Sequence, residues 1–248
     1  MKYLIIIFFI FTNIYGQVNM IDENGLKQGY WTLFFPYNTT DSVISEEGFF
    51  IDDTEDGLWI KYHENGQIRE LVNYMKGELH GLRLLITKKG KLKEQENFFN
   101  GHYHGLQIYF HDTGKPSMKI TYANGLRNGS LVKYYNNGKK QETSYYLNNN
   151  KHGISAWYFD NEQLSLQYSY NEGVIQDTAY AYYKDGTLKA KYTYSQNQMN
   201  GEKITYYRSG IIKEKGVFIR DQKDGIWCRY DTLGAEIECV EYQKGIRK

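Results

Sequence analysis

An excess of charge of either sign is missing from this sequence, in which 30 Lys and Arg stand against 29 Asp and Glu. Nucleic-acid binding relies on many unpaired basic side chains facing phosphates, so the balance argues against a nucleic-acid partner. It equally weakens a polybasic membrane-surface reading. Catalytic signatures are missing too. No Ser, His and Asp set sits in a nucleophile-elbow context, and no Gly-x-Gly-x-x-Gly or P-loop run opens a helix. Glycoside hydrolysis needs two acids in distinct environments across a cleft, but Glu70, Glu94, Glu142, Glu214 and Glu238 all recur at one strand position, commonly beside Lys or Arg. They read as structural carboxylates near a solvated edge, and the chain reads as non-enzymatic, with no cofactor.

The longest run without charge is confined to the start of the chain. Met1 and Lys2 precede an apolar stretch from Tyr3 to Phe11, and a small residue, Gly16, stands before Gln17. This is the pattern of a signal peptide over residues 1–16, with cleavage expected after Gly16. The stretch is well short of the roughly 20 residues that span a bilayer, so no transmembrane segment is expected in the mature chain. No cysteine lies near residue 16 to carry a lipid, and loss of Lys2 leaves 29 basic residues against 29 acidic ones. The expectation is an exported protein, periplasmic or extracellular.

What the chain has in quantity is tyrosine, 25 residues, and glycine, 24, with proline only at Pro36 and Pro116. Short segments rich in Tyr and punctuated by Gly are a β composition. The glycines are periodic: Gly57, Gly81, Gly105, Gly129, Gly153, Gly201 and Gly225 are 24 or 48 residues apart, with Asp177 in the single gap. A second row runs from Gly66 through Gly90, Gly114, Gly138, Gly186 and Gly210 to Gly234, with Glu162 as its exception. Two aromatic rows keep the same phase, one from Tyr62 to Tyr230 broken only by Ile86, the other from Tyr74 to Tyr242 without a gap. Upstream, Gly29 and Trp31 repeat the pattern with four extra residues, most simply in a turn around Pro36 to Asp41. The repeat domain is therefore 17–248, with nine units starting near Gly29, Gly57, Gly81, Gly105, Gly129, Gly153, Asp177, Gly201 and Gly225.

Each unit reads as strand, turn, strand. Leu58, Ile60 and Tyr62 are expected to share a core face with Ile68, Val72 and Tyr74, which needs an odd loop, Glu64-Asn65-Gly66, with Gly66 left-handed. The predicted fold class is all-β, an elongated single antiparallel meander of about eighteen strands. The runs Asn65-Gly66, Tyr74, Lys76-Gly77 and His80-Gly81, and echoes such as Asn150-Lys-His-Gly153, resemble the MORN repeat, specifically a bacterial variant found near toxin–antitoxin systems. The resemblance implies scaffolding, partner-binding or lipid-associated modules without catalytic residues.

His80, His104 and His152 share one repeat position, but equivalent positions lie two strands or roughly 10 Å apart, too far to ligate one metal. They read as turn residues, and no metal is expected. Cys228 and Cys239 would bond across a two-residue loop, Leu233-Gly234, whereas a three-residue loop would point them to opposite faces. Most functional promise lies one residue beyond the first aromatic row, where Tyr135, Phe159, Tyr183 and Tyr207 are expected on the face opposite the core, together with Trp157. Such rings either cover the second side of a thin sheet or form a binding strip. The expected function is an exported scaffold presenting an extended surface to a protein partner. Alternatives are a glycan-binding module using those rings, and an antitoxin-like or immunity protein.

Overall fold

A computed structural model describes residues 18–36 and 43–248. The signal peptide expected over residues 1–16 lies outside the described residues, as does the stretch 37–42, which covers most of the enlarged turn expected around Pro36 to Asp41. All described regular structure is β, in one open antiparallel meander of 22 strand segments. His102–Tyr103 continues into Gly105–Phe110 and Asn150–Lys151 into Gly153–Tyr158, while Met20–Ile21 and Ile246–Arg247 are two-residue edges. Subtracting these four leaves the eighteen full strands of nine hairpins.

Two turns alternate. The hairpin turn is the three-residue loop Glu64-Asn65-Gly66, closed by His63 N–H on Gln67 O at 2.8 Å, with Gly66 at φ 77°. The turn between units has two residues, such as Lys76-Gly77 and Asn124-Gly125, both at positive φ. That mirror-image turn matches the twist of the strands it joins. Where its second residue is not Gly it is Asn or Asp, which enter the left-handed region at least cost.

Both edges are also stitched from unit to unit. Along the inter-unit turns, Gly101 N–H donates to Leu79 O at 2.9 Å and Gly125 N–H to Tyr103 O at 2.8 Å. Asn149 does this twice, its N–H on Arg127 O at 2.9 Å and its Oδ1 accepting from Arg127 N–H at 2.8 Å. Asn197 with Ile175 and Asp221 with Met199 repeat that pair. Asn149 is thus a unit-joining residue rather than a simple surface turn position.

The face assignment read from alternation is overturned. Beyond the loop, Tyr62 pairs with Ile68, but the next partners are Lys61 and Glu70, then Trp59 and Val72. One extra residue, Arg69, is absorbed in a bulge, and a one-residue insertion moves every later side chain to the other face. The same slip follows in every hairpin, for example between Lys133 and Tyr134. Trp59, at 2% exposure, and Val72 are therefore core, while Leu58 is 48% exposed. The two aromatic rows end on opposite faces, the row of Tyr74 with the tryptophans and the row of Tyr62 against them. Trp31, Phe50, Trp59 and Val72 form one cluster, and Ile120, Leu131 and Tyr146 another.

On this tryptophan face, large residues fit against small ones. Trp59 lies over Gly48 and Trp227 over Gly216, close enough that a Cβ on either glycine would run into the indole. Each indole N–H is satisfied, on Phe49 O at 3.1 Å and Val217 O at 3.0 Å. Burying a ring of this size is worth on the order of 4 kcal/mol before ordering costs.

The two exceptions in the glycine rows keep the geometry of the glycines they replace. Glu162 sits at φ 73° and Asp177 at φ 64°. Glu162 N–H still donates to Phe159 O at 2.9 Å, as Gly66 N–H does to His63 O. A side chain with a Cβ is strained there. Glu162→Gly and Asp177→Gly are each expected to raise stability by about 0.5–1 kcal/mol in urea unfolding, a small gain because glycine also loosens the unfolded chain.

Candidate functional site

Buried carboxylates on the tryptophan face are taken up by structure. Arg83 Nε reaches Glu70 at 2.6 Å and its Nη1 reaches Glu96 at 3.0 Å, while Tyr103 Oη donates to Glu96 at 2.7 Å. Burial, then the Glu96 carboxylate, pushes the Tyr103 phenol far above its ordinary range. Further along, burial alone would raise the Glu142 carboxyl, but Lys133, Lys151 and Ser144 outweigh it and hold it below the usual range. The recurrent glutamates are therefore closed ion pairs.

The histidines are separated by packing. The Phe99 ring stands between His80 and His104, at 5.1 and 5.7 Å from their centroids. The one grouping of potential metal ligands among the described residues, Cys228, Glu236 and Cys239, has both sulfurs joined in a disulfide. That disulfide exists with a three-residue loop, Thr232-Leu233-Gly234, closed by Asp231 N–H on Ala235 O at 2.9 Å. The bulge at Ile237 restores the parity that the odd loop alone would have lost, so Cys228 and Cys239 stand directly opposite with Cα atoms 4.1 Å apart.

The ring row singled out from the sequence lies on the tryptophan face, along the hairpin-turn edge. Tyr135 Oη donates to Tyr158 O at 2.7 Å, Tyr183 Oη to Tyr206 O at 2.8 Å and Tyr207 Oη to Tyr230 O at 2.9 Å. His63 and His111 donate in the same way to Ile86 O and Tyr134 O. Each ring therefore ties its unit to the next, and all of Tyr135, Phe159, Tyr183 and Tyr207 are half-buried. Phe159 has no hydroxyl to make that bond. Trp157 is half-buried on the same face, at the repeat position of Lys61, edge-on to Tyr168 with Lys151 Nζ 4.5 Å from its ring.

Two of these five residues meet in a groove of about 400 Å³, which Tyr183 and Tyr207 line with Ala190, Tyr192, Thr205, Lys189, Lys213, Glu214 and Arg229. The groove exists because Ala181 and Ala190 face each other where the sixth unit carries Trp157 with Leu166 and the eighth Thr205 with Glu214. Lys189 and Lys213 are the extra residues of their bulges, which aim them toward the turn-edge rings. Their Nζ atoms lie 5.8 Å from the Tyr183 ring and 5.6 Å from the Tyr207 ring. Alternation did not single out these lysines, because bulge positions break it.

The opposite face carries an aliphatic strip. Leu58, Leu82, Leu106, Ile154 and Ile226 repeat at one position with 40–67% exposure, and Ile51, Met75, Phe99, Leu147 and Ile219 repeat beside the inter-unit turns. The first half of the strip is the most continuous. There, hydroxyl chemistry is confined to places such as Tyr62, whose phenol donates to Glu47 and is pushed up to about 12 by burial and by that carboxylate.

An open, side-by-side array of β-hairpins is the architecture of a repeat-built binding or scaffold protein. Three units, residues 55–76, 103–124 and 127–148, match the family model of the MORN repeat variant. No curated protein sequence matches the chain. Among solved structures, the GtfA/B complex bound to UDP and GlcNAc aligns over 56% of this chain and 26% of its own, at 18% identity and a TM-score of 0.20. The Photorhabdus luminescens Tc holotoxin pore aligns over 90% and 18%, at 11% identity and a TM-score of 0.15. The chain thus spans about a quarter or less of either matched chain, and at these scores neither likeness bears on its activity.

Proposed function

We propose that this chain is an exported, non-catalytic scaffold that docks a protein partner along the aliphatic face. The observation that carries the reading is the strip Ile51, Leu58, Met75, Leu82, Phe99 and Leu106, six large apolar side chains 40–55% exposed on one side of successive hairpins. Exposed apolar surface of this continuity is uncommon on a monomer and marks association surfaces. Five of the six are branched or flexible and offer no flat ring face to a sugar. They suit an apolar protein surface, with specificity supplied by the charged residues Asp56, Lys76 and Glu78 at and beside the inter-unit turn. Export is supported by the signal-type pattern of residues 1–16 and by the Cys228–Cys239 disulfide, a bond favoured outside the cytoplasm.

Leu82→Asp and Leu106→Asp remove little buried area, so both variants are expected to melt within about 1 kcal/mol of the parent. Each should lower capture of the exported partner at least tenfold. Unchanged capture by both variants would reject the aliphatic face as the docking surface. Recovery of the mature protein with its N-terminus at Gln17 checks export independently.

A further inference from the structure

We propose that the groove beneath Tyr183 and Tyr207 is a binding site for an acidic saccharide chain. It lies on the tryptophan face, so it is separate from the protein-docking strip and stands or falls without it. In the seventh and eighth units alone, an aromatic turn-edge ring is combined with a lysine at its own hairpin's bulge: Tyr183 with Lys189, and Tyr207 with Lys213. Elsewhere one member is absent, as with Tyr135 and Gln141, Phe159 and Ser165, or Asp231 and Ile237.

The rings are held in place before any ligand arrives, because each hydroxyl is engaged by the next unit's carbonyl at 2.8–2.9 Å. A preorganised ring loses little conformational freedom on binding. Its flat face suits the C–H side of a pyranose, and rings one unit apart, ~10 Å by strand spacing, suit a chain of sugars rather than a single small ion.

The charge in the groove selects the class of sugar. Lys189, Lys213 and Arg229 line it against a single carboxylate, Glu214. Glu214 is already within 3.4 Å of Lys223, whereas Lys189 and Lys213 make no ion pair among the described residues. Two free ammonium groups beside two ring faces call for an anion on a stacking scaffold, as in a uronic-acid oligosaccharide. An acidic peptide shares the charge but has no rigid apolar face to set on the tyrosines.

Titration calorimetry of the purified chain with hexagalacturonate, its methyl ester and hexaglutamate separates these classes. Hexagalacturonate is expected to bind saturably and to weaken with added salt, with the ester and the peptide each at least tenfold weaker. Lys189 and Lys213 are exposed, so the double variant Lys189→Ala, Lys213→Ala should fold normally and lose at least tenfold in affinity. Tyr207→Ala should lose as much, and Tyr207→Phe, which keeps the ring but not the hydroxyl bond that fixes it, should lose less than Tyr207→Ala. Leu82→Asp, on the other face, should bind unchanged. Absence of saturable binding, equal binding of the ester or the peptide, or parental affinity in the double lysine variant would each overturn the proposal.

Discussion

Replacing Trp59 with Ala is expected to destabilise the protein by about 3–5 kcal/mol, the range for a large ring removed from a packed interior. Leu58→Ala, one residue earlier, should cost under about 1 kcal/mol because nearly half of Leu58 is already in water. Alternation with the odd hairpin loop predicts the reverse order, so the pair tests the bulge at Arg69 directly. Gly48→Ala should also be costly, since the added methyl meets the indole of Trp59. The double variant Gly48→Ala, Trp59→Ala should cost clearly less than the sum of the two, because removing the ring opens the space that the methyl needs. Urea unfolding followed by hydrogen exchange in the first three units gives the readout, and additive losses would contradict the contact.

Arg83→Ala carries the second large effect, about 3 kcal/mol at neutral pH. Glu96 is 2% exposed and lies against Arg83 Nη1 at 3.0 Å. Removing one member of a buried pair strands the other, which costs far more than the pair itself contributes. Burial works against the Arg83 charge, and the Glu70 and Glu96 carboxylates outweigh it, so the guanidinium is held above its ordinary range. Glu96→Gln in the Arg83→Ala background should recover part of the loss, because a neutral amide replaces the stranded carboxylate and can still accept from Tyr103. A loss unrelieved by Glu96→Gln would point to lost packing of the arginine stem instead.

Much of the candidate site was visible in the sequence as a list of residues but not as a place. Tyr183 and Tyr207 stood out through their repeat position, and both line the groove. Tyr135 and Phe159 share that position, and Trp157 was expected on the same face, but none of the three lines the groove, because it opens where Ala181 and Ala190 are small and Trp157 and Leu166 are large. Lys189 and Lys213 escaped notice because a bulge residue belongs to neither alternating set. The aliphatic strip escaped for the related reason that Leu58 and its equivalents had been assigned to the core.

The 24-residue period, the hairpin count, the three-residue loops and the all-β class were determined by the sequence itself, because each rests on local chemistry. Gly recurs where the backbone turns left-handed, and aromatic rows recur where strands lie side by side. Which face is buried, which cysteine faces which and where a groove opens were decided only by the tertiary structure. A single bulge in each hairpin inverts the alternation, and its position depends on how one strand pairs with the next. No residue at the bulge, whether Arg69, Lys93, Ser165 or Ile237, announces it in the sequence. The burial of tryptophan against glycine and of glutamate against arginine selects that register, and these are contacts between strands, beyond the reach of any pattern read along one of them.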